Sequence, residues 1–407
     1  MKKILVVMCA LALSLTLAPA ANAALEKVWQ TNVGAAMKDV AAGPGGAIYV
    51  VGQGPAGSQP FEGAHATVSR LTTSGDVVWT RAWQPHPERP KAFITDAVSV
   101  AASSRTGVVY VAGTVQRYNC EGGGWFIRAY GPNGRFLGMT GTRQAWYCRP
   151  PGPQTITYVA VRGNLVVAAT AGTGCCGTSA LVDGFIRGYT TGLKPLWRSN
   201  FEPPAPAKPG WFDIADSVQI ASDGSVYAAG WAAIEFSAGE STPAGAMLVE
   251  RFGHGGNPLW SRRPHVPLGN TRGVSMALLG DRMVVGADLR GGGIWLGALA
   301  LTAAPIWHRT WGSDAAIRAQ MGGVAVDANG KIWVAGTRLD PSGGRNTYVR
   351  RYSAAGILLA TLTIDQKAPW LLGNGVDTLG TTGFVVGTRY DPAHYRLLHG
   401  QVWRIDS

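Results

Sequence analysis

Three aspartates recur at one point of a repeated pattern. Asp39, Asp96 and Asp216 each open a short apolar run (Asp39-Val40-Ala41, Asp96-Ala97-Val98, Asp216-Ser217-Val218), and Asn374 holds the comparable place before Gly375-Val376. Carboxylates gathered at one level could hold a divalent cation, whose ligands are hard oxygens, or serve a bound substrate as acid and base. The competing reading is an aspartate that caps its own strand or turn. A second set is basic and aromatic. Arg262 and Arg263, with Trp83, Trp146, Tyr147, Trp211 and Trp311, lie in connections where Arg and Lys far outnumber Asp and Glu. Forked guanidinium donors suit carboxylate, sulfate or phosphate, and flat indole and phenol faces suit sugar rings. These residue types predict a binding surface for an anionic or sugar-bearing polymer, with another extracytoplasmic protein as the other class of partner.

Other motifs carry less. Gly172-Thr173-Gly174-Cys175-Cys176-Gly177 spells G-x-G-x-x-G. A dinucleotide site needs that motif between a strand and a helix, and the run after it, Ala180 to Tyr189, reads as strand. His65, His86, His265, His308 and His394 stand singly. Neither a G-x-S-x-G elbow, nor a P-loop, nor H-E-x-x-H occurs. The residues therefore point to a place on the surface rather than to a reaction.

The elements that must position them are short strands in a repeat. The stretch from Asp216 to Trp260 reads as four antiparallel strands, with tight turns at Ser222-Asp223-Gly224 and Gly253–Gly256. Related units recur from Asp39 to Trp79, Asp96 to Leu137, Tyr158 to Trp197, Val274 to Trp307, Val324 to Leu359 and Gly375 to Ile405. Recurrence of a four-stranded unit predicts an all-β fold, a seven-bladed propeller of residues 24–407. The seventh unit ends one strand short. Leu25-Glu26-Lys27-Val28-Trp29 matches the outer strands that end in Trp79, Trp197, Trp260 and Trp307, so the N-terminal strand is expected to complete the last blade.

The run V-A-V-D-A-N-G-K-I-W-V-A-G-T from Val324 resembles the SBBP-type β-propeller repeats of exported bacterial proteins. So do Y-V-R-R-Y-S-A-A-G from Tyr348 and F-I-R-G-Y-T-T-G from Phe185, the latter followed by Leu196-Trp197. The third, fifth and seventh units depart from the pattern. The resemblance implies an extracytoplasmic propeller and no defined activity. Gly75-x-x-x-Trp79 and the adjacent Cys175-Cys176 are also similar to pyrroloquinoline quinone dehydrogenases, which have eight blades and a fuller docking motif. By analogy with lactonase-type propellers, the alternative function is a hydrolase or lyase acting at the channel mouth through Asp39, Asp96 and Asp216.

Residues 1–23 read as a secretory leader: Lys2 and Lys3, an apolar run from Ile4 to Leu17, then Ala21-Asn22-Ala23. No later stretch is expected to span a bilayer, and the chain is expected to be secreted or periplasmic. The net charge of +12 falls by two when Lys2 and Lys3 leave. Cys120, Cys148, Cys175 and Cys176 then remain, an even number that suits disulfides in an exported protein. Cys120–Cys148 with Cys175–Cys176 is the favoured pairing, and the two rival pairings stay open. The connections within hairpins are tight on one face, as at Gly43–Gly46 and Ala328–Gly330. On the other face they are long, which makes that face the expected site.

Overall fold

A computed structural model describes residues 24–34, 36–54, 64–85, 93–117, 123–143, 157–173, 182–202, 213–235, 244–264, 267–268, 274–289, 293–314, 317–339, 343–364, 370–391 and 396–407. Cys120, Cys148, Cys175, Cys176, residues 1–23, Trp146, Tyr147 and Trp211 lie outside the described residues. The described residues are all β, without an α-helix among them.

The strands form six sheets. The first holds Ala36–Ala42, Ile48–Gln53, Ala66–Leu71 and Val77–Trp83 in that spatial order, and every neighbour is antiparallel. The second (Phe93–Ala102, Val109–Arg117, Gly123–Tyr130, Phe136–Arg143) and the third (Thr157–Arg162, Leu165–Thr173, Val182–Thr190, Pro195–Phe201) repeat it. So do Asp213–Ile220, Val226–Glu235, Ala244–Phe252 and Pro258–Arg262 in the fourth, and Ser275–Leu279, Arg282–Asp288, Ile294–Ala300 and Pro305–Trp311 in the fifth. The sixth has nine strands, the short Ser313–Asp314 beside Ile317–Val326 and the other eight in two groups of four. Ile317–Val326, Ile332–Leu339, Arg345–Tyr352 and Leu358–Ile364 make one four-stranded group. Trp370–Leu379, Thr382–Asp391, Arg396–Asp406 and the N-terminal Glu26–Val33 make another. A single parallel pairing, Arg345 with Trp370, joins the two groups.

Burial explains why each strand takes its place. Second strands are continuous apolar runs with both faces covered: Ile48 to Val51, Val226 to Ala229 and Ile332 to Ala335 are all fully buried. Outer strands keep one or two large side chains buried or half-buried and leave the rest wet. The apolar residues do not form one core. They form seven clusters, each between two consecutive four-stranded groups. One of these packs Phe384, Val386 and Val402 of the C-terminal strands against Val40, Ile48 and Val50 of the first sheet. The arrangement is propeller-like.

Two backbone devices recur. In the inner strands of the first, second and fourth sheets, and in Ile317–Val326 and Trp370–Leu379, one extra residue bulges out of register. Each bulge lies opposite a glycine: Gly52, Gly113, Gly230, Gly336 and Gly387. A Cβ on any of them would collide with an inner-strand carbonyl oxygen, that of Ala36, Asp96, Ile214, Gln320 or Leu372. The second device joins neighbouring sheets at the end where the hairpin turns lie. Trp29, Trp79, Trp197 and Trp307 donate Nε1–H to Thr73, Pro132, His254 and Ala354 in the next group's turn, at 2.8–3.0 Å. Each indole lies against a left-handed glycine of that turn: Gly75, Gly134, Gly256 or Gly356.

The bulge and its glycine give a stability prediction. Gly336→Ala should lower unfolding free energy by about 3 kcal/mol or more, because only a backbone shift can relieve the collision. Gly138→Ala, where an added Cβ meets nothing within 4 Å, should be close to neutral. Denaturant midpoints of the two variants check this.

Candidate functional site

The inner strands of all the groups line one cavity of about 960 Å³. It is bordered by Lys38 to Ala42, Asp96, Val98 to Ala102, Tyr158 to Arg162, Asp216 to Ile220, Val274 to Leu278, Met321 to Val326 and Asn374 to Asp377. The three aspartates expected to share a level do all border it. They do not stand at one level: Asp39 follows a bulge, Asp96 precedes one, and Asp216 is itself the bulged residue.

Their surroundings differ accordingly. Asp39 accepts from its own strand through Val40 N–H (2.8 Å) and from the second sheet through Val100 N–H (2.9 Å). Ser99, Ser217 and Ser275 hold the same post-bulge place or its equivalent. Each hydroxyl accepts from the next group's inner strand, at Val159, Met276 and Val324. Inner strands form a sheet edge, and an unpaired N–H in the interior is costly. These side chains are latches that supply the missing acceptors. Asp39 has two to serve, because Gly375, the residue before it in the ring, has no side chain. Asp377 makes a second carboxylate latch, accepting from Ala42 N–H (2.7 Å) and Thr378 N–H (2.8 Å). Both face a narrow channel through the middle of the molecule, touched by solvent but surrounded by protein. Burial pushes Asp39 up to about 7 and Asp377 up to about 6, against the lowering effect of their N–H donors; Asp377 also raises Asp39 by repulsion. Asp96 faces Lys38 at 3.9 Å, and burial raises it despite that cation. Asp216 is buried. Asn374 donates to the Met37 carbonyl and to Thr388.

A divalent cation does not fit this set. Both oxygens of Asp39 already accept N–H groups, and the three carboxylates are staggered along the channel. Among the described residues, no three of His, Cys, Asp and Glu are placed to share a metal ion.

Of the binding candidates, Trp83 and Trp311 end equivalent outer strands and are half-buried between sheets. Trp83 meets Phe126 edge-on at 4.7 Å with the Arg128 guanidinium over it at 4.6 Å. Trp311 meets Tyr352 at 5.8 Å under Arg350 at 4.8 Å. Arg262 is exposed at the end of Pro258–Arg262, and Arg263 comes next, half-buried. Both lie at the end away from the hairpin turns.

Glu250 is a residue that sequence reasoning passed over. It sits on the third strand of the fourth sheet, 4% exposed, and accepts from Glu202 N–H at 3.3 Å. Burial pushes it up to about 8, with repulsion from Asp213 and Glu202 adding to that and the Ser261 hydroxyl opposing it. The only sign was an acidic residue where other units carry Ser69, Arg128, Arg187, Gly297 or Arg350.

No family model matches the chain, and no curated protein does. Solved structures do. A protein of unknown function from Dyadobacter fermentans DSM 18053 is 10% identical, with 94% of this chain and 99% of that chain covered and a TM-score of 0.50. A Hadza microbial sialidase is 12% identical, with 91% and 65% covered and a TM-score of 0.47. Trypanosoma rangeli sialidase in complex with the inhibitor DANA is 7% identical, with 91% and 55% covered and a TM-score of 0.46. This chain spans less than two thirds of the length of either sialidase. The likeness to the Dyadobacter protein is one of fold alone.

The raised acids give a pH prediction. Their folded values lie above the ordinary carboxylate range near 4, so the folded state holds protons that the unfolded chain has released. Their stabilising effect is complete below about pH 4 and is lost as pH climbs from there to the folded values of about 6 to 8. The protein should therefore lose stability between about pH 4 and pH 8. Glu250→Gln should remove about 1 kcal/mol per pH unit of that slope up to about pH 8, and Asp39→Asn should flatten it up to about pH 7. Denaturant titrations across that range check both variants.

Proposed function

We propose that residues 24–407 are a seven-bladed β-propeller closed by its N-terminal strand, and that it is an exported binding module of the SBBP-repeat kind. Its ligand is an anionic or sugar-bearing polymer, held at the end of the barrel opposite the hairpin turns. Two facts support the closure. Glu26–Val33 pairs with Arg396–Asp406, and Trp29 then reaches the first sheet's turn as every other clasping tryptophan reaches its neighbour's. The single parallel pairing between Arg345 and Trp370 is what merges two blades into one nine-stranded sheet.

The separation of the two ends carries the binding reading. At one end each described turn is short and the Trp clasps tie turn to neighbour. The connections rich in Arg, Lys, Trp and Tyr all leave from the other end, over a rigid scaffold, where function tends to be placed. Exposed Arg262 and half-buried Arg263 are the described members of that cationic set. The hydrolase reading is weaker, because Asp39 is engaged in latching two groups together and Asp39, Asp96 and Asp216 stand at different levels of their strands.

Deleting residues 24–33 tests closure. It removes the partner of Arg396–Asp406 and the Trp29 clasp, so the melting temperature should fall by about 10 °C or more, or the protein should aggregate. An unchanged melting temperature rejects the seven-blade arrangement. A glycan and polyanion array tests the ligand. Replacing Arg262 and Arg263 by Ser should weaken the strongest hit about tenfold without lowering the melting temperature, and added salt should weaken it further because such charges are screened over about 8–10 Å. Replacing Arg135, at the turn end, should leave it intact. Equal loss from both changes, or indifference to salt, removes the claim on this surface.

A further inference from the structure

The outer strands hold a third repeated device. Each contains a bulge within its first residues, between Lys27 and Trp29, Val77 and Trp79, Phe136 and Gly138, Pro195 and Trp197, Pro258 and Trp260, Pro305 and Trp307, and Leu358 and Ala360. The extra residue pairs with nothing across the sheet. In all seven it is aliphatic: Val28, Val78, Leu137, Leu196, Leu259, Ile306 and Leu359. Six of the seven are 44–54% exposed. An unpaired, half-wet position carries no packing demand for an apolar side chain, and a bulge is a means of re-aiming one. The clasps fix where the ring lies. The next residue in four strands is the Trp that lies on the neighbouring turn, so these aliphatics stand at the level of the turns, around the rim.

The surface inside that rim is cationic. Its turns are tight, and its acids are mostly engaged: Asp223 pairs with Arg251, Asp281 with Arg282, and Asp406 with Arg404. Exposed Lys27, Arg105, Arg135, Arg162 and Lys194 have no carboxylate partner among the described residues.

We propose that this turn end docks on an anionic lipid bilayer, the aliphatic ring entering the headgroup boundary and the unpaired cations meeting lipid phosphates. A ring of exposed aliphatic side chains at one strand level suits a planar, greasy boundary. Anionic lipid adds attraction for each nearby cation. Surplus positive charge on both faces would oppose pairing with a second copy. The surface lies opposite the polymer site proposed above and does not rest on it.

Vesicle flotation tests the proposal, with phosphatidylcholine alone and with about one third phosphatidylglycerol. The mature protein should float with the anionic vesicles, not with the neutral ones, and less so as salt rises. Val78→Ser/Leu196→Ser/Ile306→Ser should lower the bound fraction about tenfold, as should Lys27→Ser/Arg135→Ser/Lys194→Ser. Arg262→Ser/Arg263→Ser should bind as the parent does. Should the first variant melt early, Ile306→Ser alone should still bind measurably less. Three outcomes overturn the proposal: no flotation at low salt, full binding by the aliphatic variants, or loss only on changing Arg262 and Arg263.

Discussion

The molecule depends on glycines that let an inner strand carry one residue more than its neighbour can pair. At Gly52, Gly113, Gly230, Gly336 and Gly387 a carbonyl oxygen of the inner strand occupies the space a Cβ would take. The bulge this permits bends the inner strand, as bulges do, and shifts the side chains beyond it. The residue after the bulge then reaches sideways to the next group. Ser99 and Ser217 meet an N–H there, and Ser275 does so from the equivalent place in a strand that begins at it. Without that reach, each inner strand would show the channel a row of unsatisfied donors.

Asp39 shows why one latch is an acid. Its predecessor around the ring, Gly375, lies so close that an added Cβ would stand 3.3 Å from the Asp39 carboxylate. Gly375 has no acceptor to give, so Val40 N–H falls to Asp39 itself while Val100 N–H waits on its other side. A hydroxyl oxygen could not span both; a carboxylate can. The cost is a charge in the interior, visible in the upward displacement of Asp39 and Asp377. Burial of Asp39 and Asp377 follows from how the groups are joined.

Strand positions were legible because apolar runs bounded by Gly-containing turns constrain a chain strongly. Val324 to Gly336 is buried along its second strand as its pattern requires. The levels of Asp39, Asp96 and Asp216 were not legible. A bulge moves a side chain by one register step, and Asp96, Asp216 and Asp39 stand two before, at and one after the extra residue, though they look equivalent when aligned on their apolar neighbours. The roles of Trp83 and Trp311 were hidden for a related reason. An indole at a strand end reads as exposed until the neighbouring sheet, far away in sequence, brings Arg128 or Arg350 over its face. Glu250 could not be recognised as strained without knowing that Asp213 returns beside it.

The clasps show the same logic in what they omit. Gly138 stands where other outer strands have Trp, and the turn it would meet has Leu193 in the left-handed position instead of glycine. Leu193 is buried among Trp125, Ala129 and Tyr189, so its side chain fills the space that an indole fills elsewhere. Ala360 also replaces Trp, and there the following group has no turn between its third and fourth strands, because Arg396–Asp406 and Glu26–Val33 belong to opposite ends of the chain. A bulky residue is absent only where its neighbour supplies the volume or has no turn to cover. The pattern of tryptophans is thus set by the neighbouring turns, and it treats the N-terminal strand as the outer strand of the last group.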